Sequence, residues 1–253
     1  MKAQSDKCLI LIKANPHLSS KYFETVCCAG VGTDGKWRRQ YPVSFRILED
    51  AQKFKRWSWI EYDFVKPSDD ERKESQKVQD KSIIVVGQAK IKDRAKSLES
   101  LIFRGFEKPE EKLDSLTLIR PTKSEFIWKR KDPEKLAKQA QKHATMANQM
   151  SLFSNDAQPM AQCPYSFHFR WEDENGKVWN STCDDWESSA TFFQRRRSLG
   201  SEQAALDSMS ETFNQEYPSK GMAFAFSTHS RRNWQWLLVG ILRADIPTED
   251  LLL

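Results

Sequence analysis

"ETVCCAGVGTDGKWRRQYPVSFR", residues 24–46, decides how the chain begins to fold. Asp34-Gly35 is a strong hairpin turn signal with apolar stretches on both sides. Residues 25–31 therefore read as one strand and "WRRQYPV" (37–43) as its antiparallel partner. Pro42 marks an edge or an end, because it has no N–H to give to a ladder. On such a strand Cys27 and Cys28 point to opposite sides, so only one can face a pocket. "GVGTDG" is not a phosphate loop: no lysine-hydroxyl pair follows, and it leads into a strand.

Working outward, "CLILIKA" (8–14) reads as a buried strand, and "NPHLSSKY" as a turn leading into a helical turn. Residues 48–57 predict a short helix. "WSWIEYDFV" (57–65) alternates, with Ser58, Ile60, Tyr62 and Phe64 inward and Trp57 and Trp59 on the less buried face. The highly charged 66–82 reads as a solvated loop or mobile insertion. "IIVVGQAKI" (83–91) is a further strand. A helix follows, with Leu98, Leu101 and Ile102 in a stripe, and 113–130 returns to strand character.

Asp132 as N-cap and Pro133 at the first helical position open a helix. Its apolar face is Leu136, Ala140, His143, Ala147 and Met150. A joint is placed near residue 155. Beyond it come a hairpin turning at Asn175-Gly176, helices opening at "DWE" (185–187) and Ser201, and two closing strands around a basic turn. The expected fold is α+β: two small mixed lobes, each a hairpin-rich β-sheet with flanking helices. The expected boundaries are 1–130 for the N-terminal lobe, 131–160 for helix and linker, and 161–253 for the C-terminal lobe. The groove between lobes is the expected ligand site.

The chain has 253 residues and nine tryptophans, enough for a core and too aromatic for general disorder. Its net charge of +5 permits an anionic partner without requiring one. No stretch approaches the ~18 apolar residues of a membrane helix. Five cysteines, none in a CxxC pair, suit a reducing cytoplasm. No cofactor is expected. Cys163, His168, Cys183 and His229 make a poor metal set, since Cys163 and His168 fall on opposite strand faces.

Arginine recurs beside tryptophan. Trp37, Arg38, Arg39 and Arg46 mark the first hairpin, and Arg232 and Trp234 the last. Guanidinium groups hold phosphate and indoles stack bases, so these six form the expected nucleic-acid site. The alternative is a cysteine-dependent hydrolase, of amide or nitrile type, with Cys27 as nucleophile and Asp185 or Glu187 as acid/base.

The run 15–46, the "DWE" at 185–187 and the Thr228-His229-Arg232 turn together resemble an uncharacterised bacterial family encoded near DNA-modification and phage-defence genes. The resemblance covers both ends of the chain and leaves roughly 66–160 divergent. It implies a role in such a system, with DNA a more natural partner than RNA. Protein partners from the same operon would fit, as would a non-catalytic subunit of a defence complex.

Overall fold

The computed structural model describes residues 3–19, 23–103, 106, 115–151, 160–229 and 232–246. The first lobe is built from β1 (Gln4–Lys13), β2 (His17–Ser19), β3 (Phe23–Gly32), β4 (Trp37–Val43), β5 (Ser58–Val65), β6 (Ser75–Val78) and β7 (Ile84–Gln88). Five of these close into a barrel in the order β1-β3-β4-β6-β5 and back to β1. Closure works because β5 holds β1 along one edge and β6 and β7 along the other. β4 and β6 run parallel. Alternation then sorts the side chains. Cys8, Ile10, Val26, Cys28, Ile60 and Tyr62 fill the interior, while Leu9, Leu11, Ala29 and Val31 point outward. A first strand paired with the second and fourth, and a parallel third–fifth pair, is the connectivity of an oligonucleotide/oligosaccharide-binding barrel.

The chain crosses through α1 (Arg94–Glu99) to β8 (Leu116–Ile119), β9 (Lys123–Arg130) and α2 (Pro133–Ser151). There follow β10 (Tyr165–Glu172), β11 (Val178–Cys183), α3 (Trp186–Leu199), α4 (Glu202–Glu211), β12 (Met222–His229) and β13 (Arg232–Arg243). The second sheet is ordered β8-β12-β13-β11-β10-β9. Phe167, Phe169, Trp171, Phe224 and Phe226 line one face and pack on Phe192, Leu206, Met209 and Phe213 from the helical segment that follows. The caps are local. The Asp185 side chain accepts from Glu187 N, Ser201 caps α4, and Gly200 ends α3 at φ 72°.

The two lobes share a core. Leu9, Leu11, Ala29, Val31 and Trp57 from the barrel pack on Leu116, Leu118, Ala223, Ala225, Val239 and Leu242 from the sheet. A groove between the lobes was expected; most of the junction is apolar and closed, but Trp37 and Arg38 of the barrel and Leu116 and Thr117 of the second sheet do line one of about 590 Å³. The outer face of the second and third barrel strands, where such barrels take oligonucleotides, is thus covered by the chain's own second sheet. Within the barrel, β3 passes close to β1. A Cβ on Gly30 would lie 1.9 Å from Leu9 O and 2.8 Å from Cys8 Sγ. Gly30→Ala is therefore expected to cost about 3 kcal/mol through overpacking, read as a lowered denaturation midpoint at unchanged slope.

Several expectations need correction. Residues 66–82 are not all solvated loop: β6 lies within them, with Glu74, Ser75 and Gln76 buried. Polar side chains can sit there because each is bonded, Gln76 to Tyr62 and Asp6, and Ser75 to Asp70. The 48–57 helix reduces to one short turn, Asp50–Gln52, preceded by another at Phe45–Ile47. Within 15–22, expected as turn, His17–Ser19 form the strand β2, and 113–130 contributes two strands to the second sheet. The barrel lobe therefore ends well before residue 130. Trp57 is buried in the shared core rather than on an open strand face. The joint near 155 and the Met150 side chain lie outside the described residues.

Loop 66–74 ties the barrel to the sheet. Asp70 accepts twice from the Arg72 guanidinium (2.8 and 2.7 Å), once from Arg72 N (3.2 Å) and once from Ser75 (2.7 Å), and Arg72 donates to Thr228 O at 3.0 Å. Burial pushes the Asp70 carboxyl up, but these hydrogen bonds outweigh it and hold it at about 2, below its ordinary 3.8. A carboxyl held down in the fold stabilises it above the unfolded value and loses that contribution as pH falls toward 2. Asp70→Asn should cost up to about 2 kcal/mol at pH 7. The gap between the two proteins should close in unfolding titrations carried from pH 5 down to pH 2.

Candidate nucleic-acid interface

The hairpin arginines all meet carboxylates. Arg38 Nε lies 2.6 Å from Asp6 Oδ2, and its Nη2 lies 3.1 Å from Asp34 Oδ1. Arg46 Nη1 is 2.8 Å from Glu24 Oε2, which also has His143 Nδ1 at 3.7 Å. Arg39 is only 3% exposed. Its Nη1 donates to Ser227 Oγ (2.8 Å), its Nη2 to Ser115 O and Oγ (3.0 and 2.8 Å), and Glu74 Oε1 lies 3.5 Å away. The Ser115 hydroxyl in turn donates to Glu74. Arg39 is a buried tie between barrel, loop and second sheet, not an open phosphate contact. Trp37 is half-buried against the shared core, beside a groove of about 590 Å³ that Arg38, Lys73 and Glu74 also line.

The two cysteines part as strand geometry requires. Cys28 enters the barrel core, where burial drives its thiol well up. Cys27 points to the lobe junction, with Arg39 Nη1 3.9 Å from its sulfur. Asp185 is engaged elsewhere: both its oxygens accept from Arg56 at 2.8 Å, and Oδ2 also accepts from Ile241 N. Burial pushes its carboxyl up, against Arg56. Glu187 pairs with Lys13 at 2.6 Å. Burial raises its carboxyl, but Arg56 and Lys13 prevail and hold it below the ordinary range. Neither carboxylate is among the contacts of Cys27, and both pin α3 to the barrel.

Trp234 is 59% exposed beyond the β12–β13 turn, as a base-stacking indole would be. The side chain of Arg232 lies outside the described residues, as does Arg231.

A different face carries cations without carboxylate partners. Residues 134–142 of α2 are exposed apart from half-buried Leu136, while His143 and Ala147 are buried. Lys135, Lys138 and Lys142 recur at helical spacing and turn well away from that docking side. They span about 10 Å of helix. Lys131 just before the helix and Arg197 on α3 line a groove of about 490 Å³, to which α2 contributes Gln139. Among the described residues, none of these five is in an ion pair. By contrast, Arg195 is tied to Ser208 and Thr212, and Arg130 and Arg196 share Glu202. The lysine stripe was legible as the polar side of the predicted helix, where only the apolar side was read. Arg197 closes the run Arg195-Arg196-Arg197, of which it alone is in no side-chain hydrogen bond or ion pair among the described residues.

Among the described residues, no three His, Cys, Asp or Glu side chains gather as metal ligands, and no helix is long and apolar enough to cross a membrane.

Residues 94–251 match the family model described as a domain of unknown function (DUF8757). Residues 4–103 match a second, also described as a domain of unknown function (DUF8758). The two matches meet at α1, where the barrel ends. No curated protein and no solved structure matches the chain.

Proposed function

The chain belongs to the DUF8757 family, and we propose that it is a nucleic-acid-binding protein. Phosphates are held by Lys131, Lys135, Lys138, Lys142 and Arg197. The observation that carries this reading is that Lys135, Lys138 and Lys142 recur at helical spacing on the exposed side of α2, that Lys131 and Arg197 line a groove to which Gln139 of the same helix contributes, and that none of the five is in an ion pair among the described residues. Elsewhere the arginines named from the sequence, where their side chains are described, are paired or buried. Lysines on the solvent side of a helix are suited to a polyanion, because each phosphate contact releases counterions. Trp234 offers a stacking surface on the second sheet.

The finer assignment is to cytoplasmic service in a bacterial DNA-modification or antiviral defence system, with DNA rather than RNA. It rests on the resemblance carried by residues 15–46, 185–187 and 228–232. A place as the binding subunit of a larger defence complex fits the same face. The hydrolase alternative has less support, because Asp185 and Glu187 are engaged by Arg56 and Lys13.

A salt series with labelled duplex and single-stranded oligonucleotides tests the reading. Five phosphate contacts on a duplex should give a log–log slope of about −4.5. Absence of binding at low salt, or a slope near zero, would contradict it.

A further inference from the structure

The groove between α2 and α3 does not resemble a plain cationic surface, and we propose that it takes one unpaired nucleotide of a bound strand. This rests on the reading above and names the feature of the polymer that is recognised. Three kinds of group meet there. Phe193, half-buried, lines the groove one turn from Arg197 on the same helix. The amides of Gln139, Gln162 and Gln194 come from three separate segments, and each can both donate and accept. Lys131 and Arg197 stand at its sides. An aromatic ring for stacking, amides for a base edge and cations for the flanking phosphate are what an unstacked nucleotide requires.

The acidic member of the groove does not oppose this. Asp184 is held by Asn15 Nδ2 at 3.1 Å and by His17 Nε2 at 3.7 Å. The pairing with the Asp184 carboxylate raises the His17 imidazole above its ordinary value, against burial. A stacked duplex presents no isolated base to a recess of this kind. A bulge or a single strand does.

The test compares three labelled oligonucleotides of equal length, as DNA and as RNA, at one salt concentration. They are a perfect duplex, a duplex with one bulged nucleotide, and a single strand. The unmodified protein should prefer the bulged or single-stranded form by roughly ten-fold, the worth of one stacked base. Ala190→Trp fills the groove from an exposed helical position without removing a charge, and Phe193→Ala removes the stacking ring. Both should abolish the preference while leaving duplex affinity within about twofold. Equal affinity for the three forms in the unmodified protein, or a preference that survives both substitutions, would overturn the groove's role and leave the phosphate face standing. Failure to bind any of the three would overturn both.

Discussion

Arg39→Ala is expected to lower the stability of the whole fold by about 3–5 kcal/mol, the cost of removing one partner from a buried ion pair. Glu74 would remain 7% exposed with no guanidinium beside it, and the Ser115 and Ser227 hydroxyls would each lose a donor. The three partners come from the β5–β6 loop, the edge of β8, and β12, so the loss should act on both lobes together. Thermal unfolding should stay a single transition and shift down by roughly 10 °C. Arg39→Met combined with Glu74→Leu should recover much of the loss, since a buried pair replaced by apolar groups of similar size leaves no charge behind. A change under 1 kcal/mol for the single substitution would mean that Arg39 does not tie the lobes.

The second large effect is on binding. Replacing Lys135, Lys138 and Lys142 together by Ala removes three proposed phosphate contacts from an exposed helix face. The slope of log affinity against log salt on duplex should weaken by about 2.7. Between 50 and 200 mM salt the unmodified protein should then lose about 500-fold in affinity, and the triple variant only about 12-fold. Alanine favours the helix, so stability should hold or rise slightly. Arg38→Ala, which breaks pairs with Asp6 and Asp34, should leave the slope unchanged.

Much of the architecture is readable from local pattern. The Asp34-Gly35 and Asn175-Gly176 turns have glycines at φ 74° and 77°. The Asp132, Asp185 and Ser201 caps and the alternation of β5 are likewise local signals. β6 was not readable, because Glu74, Ser75 and Gln76 look like loop until their bonding partners are known. Nor was the barrel's closure, since the β4–β6 pairing joins segments with no pattern in common.

The candidate site was harder for the same reason. An arginine beside a tryptophan looks available for phosphate until the carboxylate across from it is located, and apart from Asp34, four positions before Arg38, those carboxylates are distant in sequence. Asp6 is 32 positions from Arg38, Glu74 is 35 from Arg39, and Asp185 is 129 from Arg56. Lys135, Lys138 and Lys142 carry no signal in the sequence, because a charged helix face is ordinarily just solvated.

The most direct measurement is hydrogen exchange across the chain with and without a saturating oligonucleotide at low salt. Exposed residues 134–142 of α2 should exchange quickly in the unbound protein, which leaves room for a clear change. The expected result is new protection over 129–143 and 189–197, with residues 24–46 unaltered. Protection confined to the 24–46 hairpin or to the segment around Trp234, with α2 unchanged, would contradict the assignment of the phosphate-binding face.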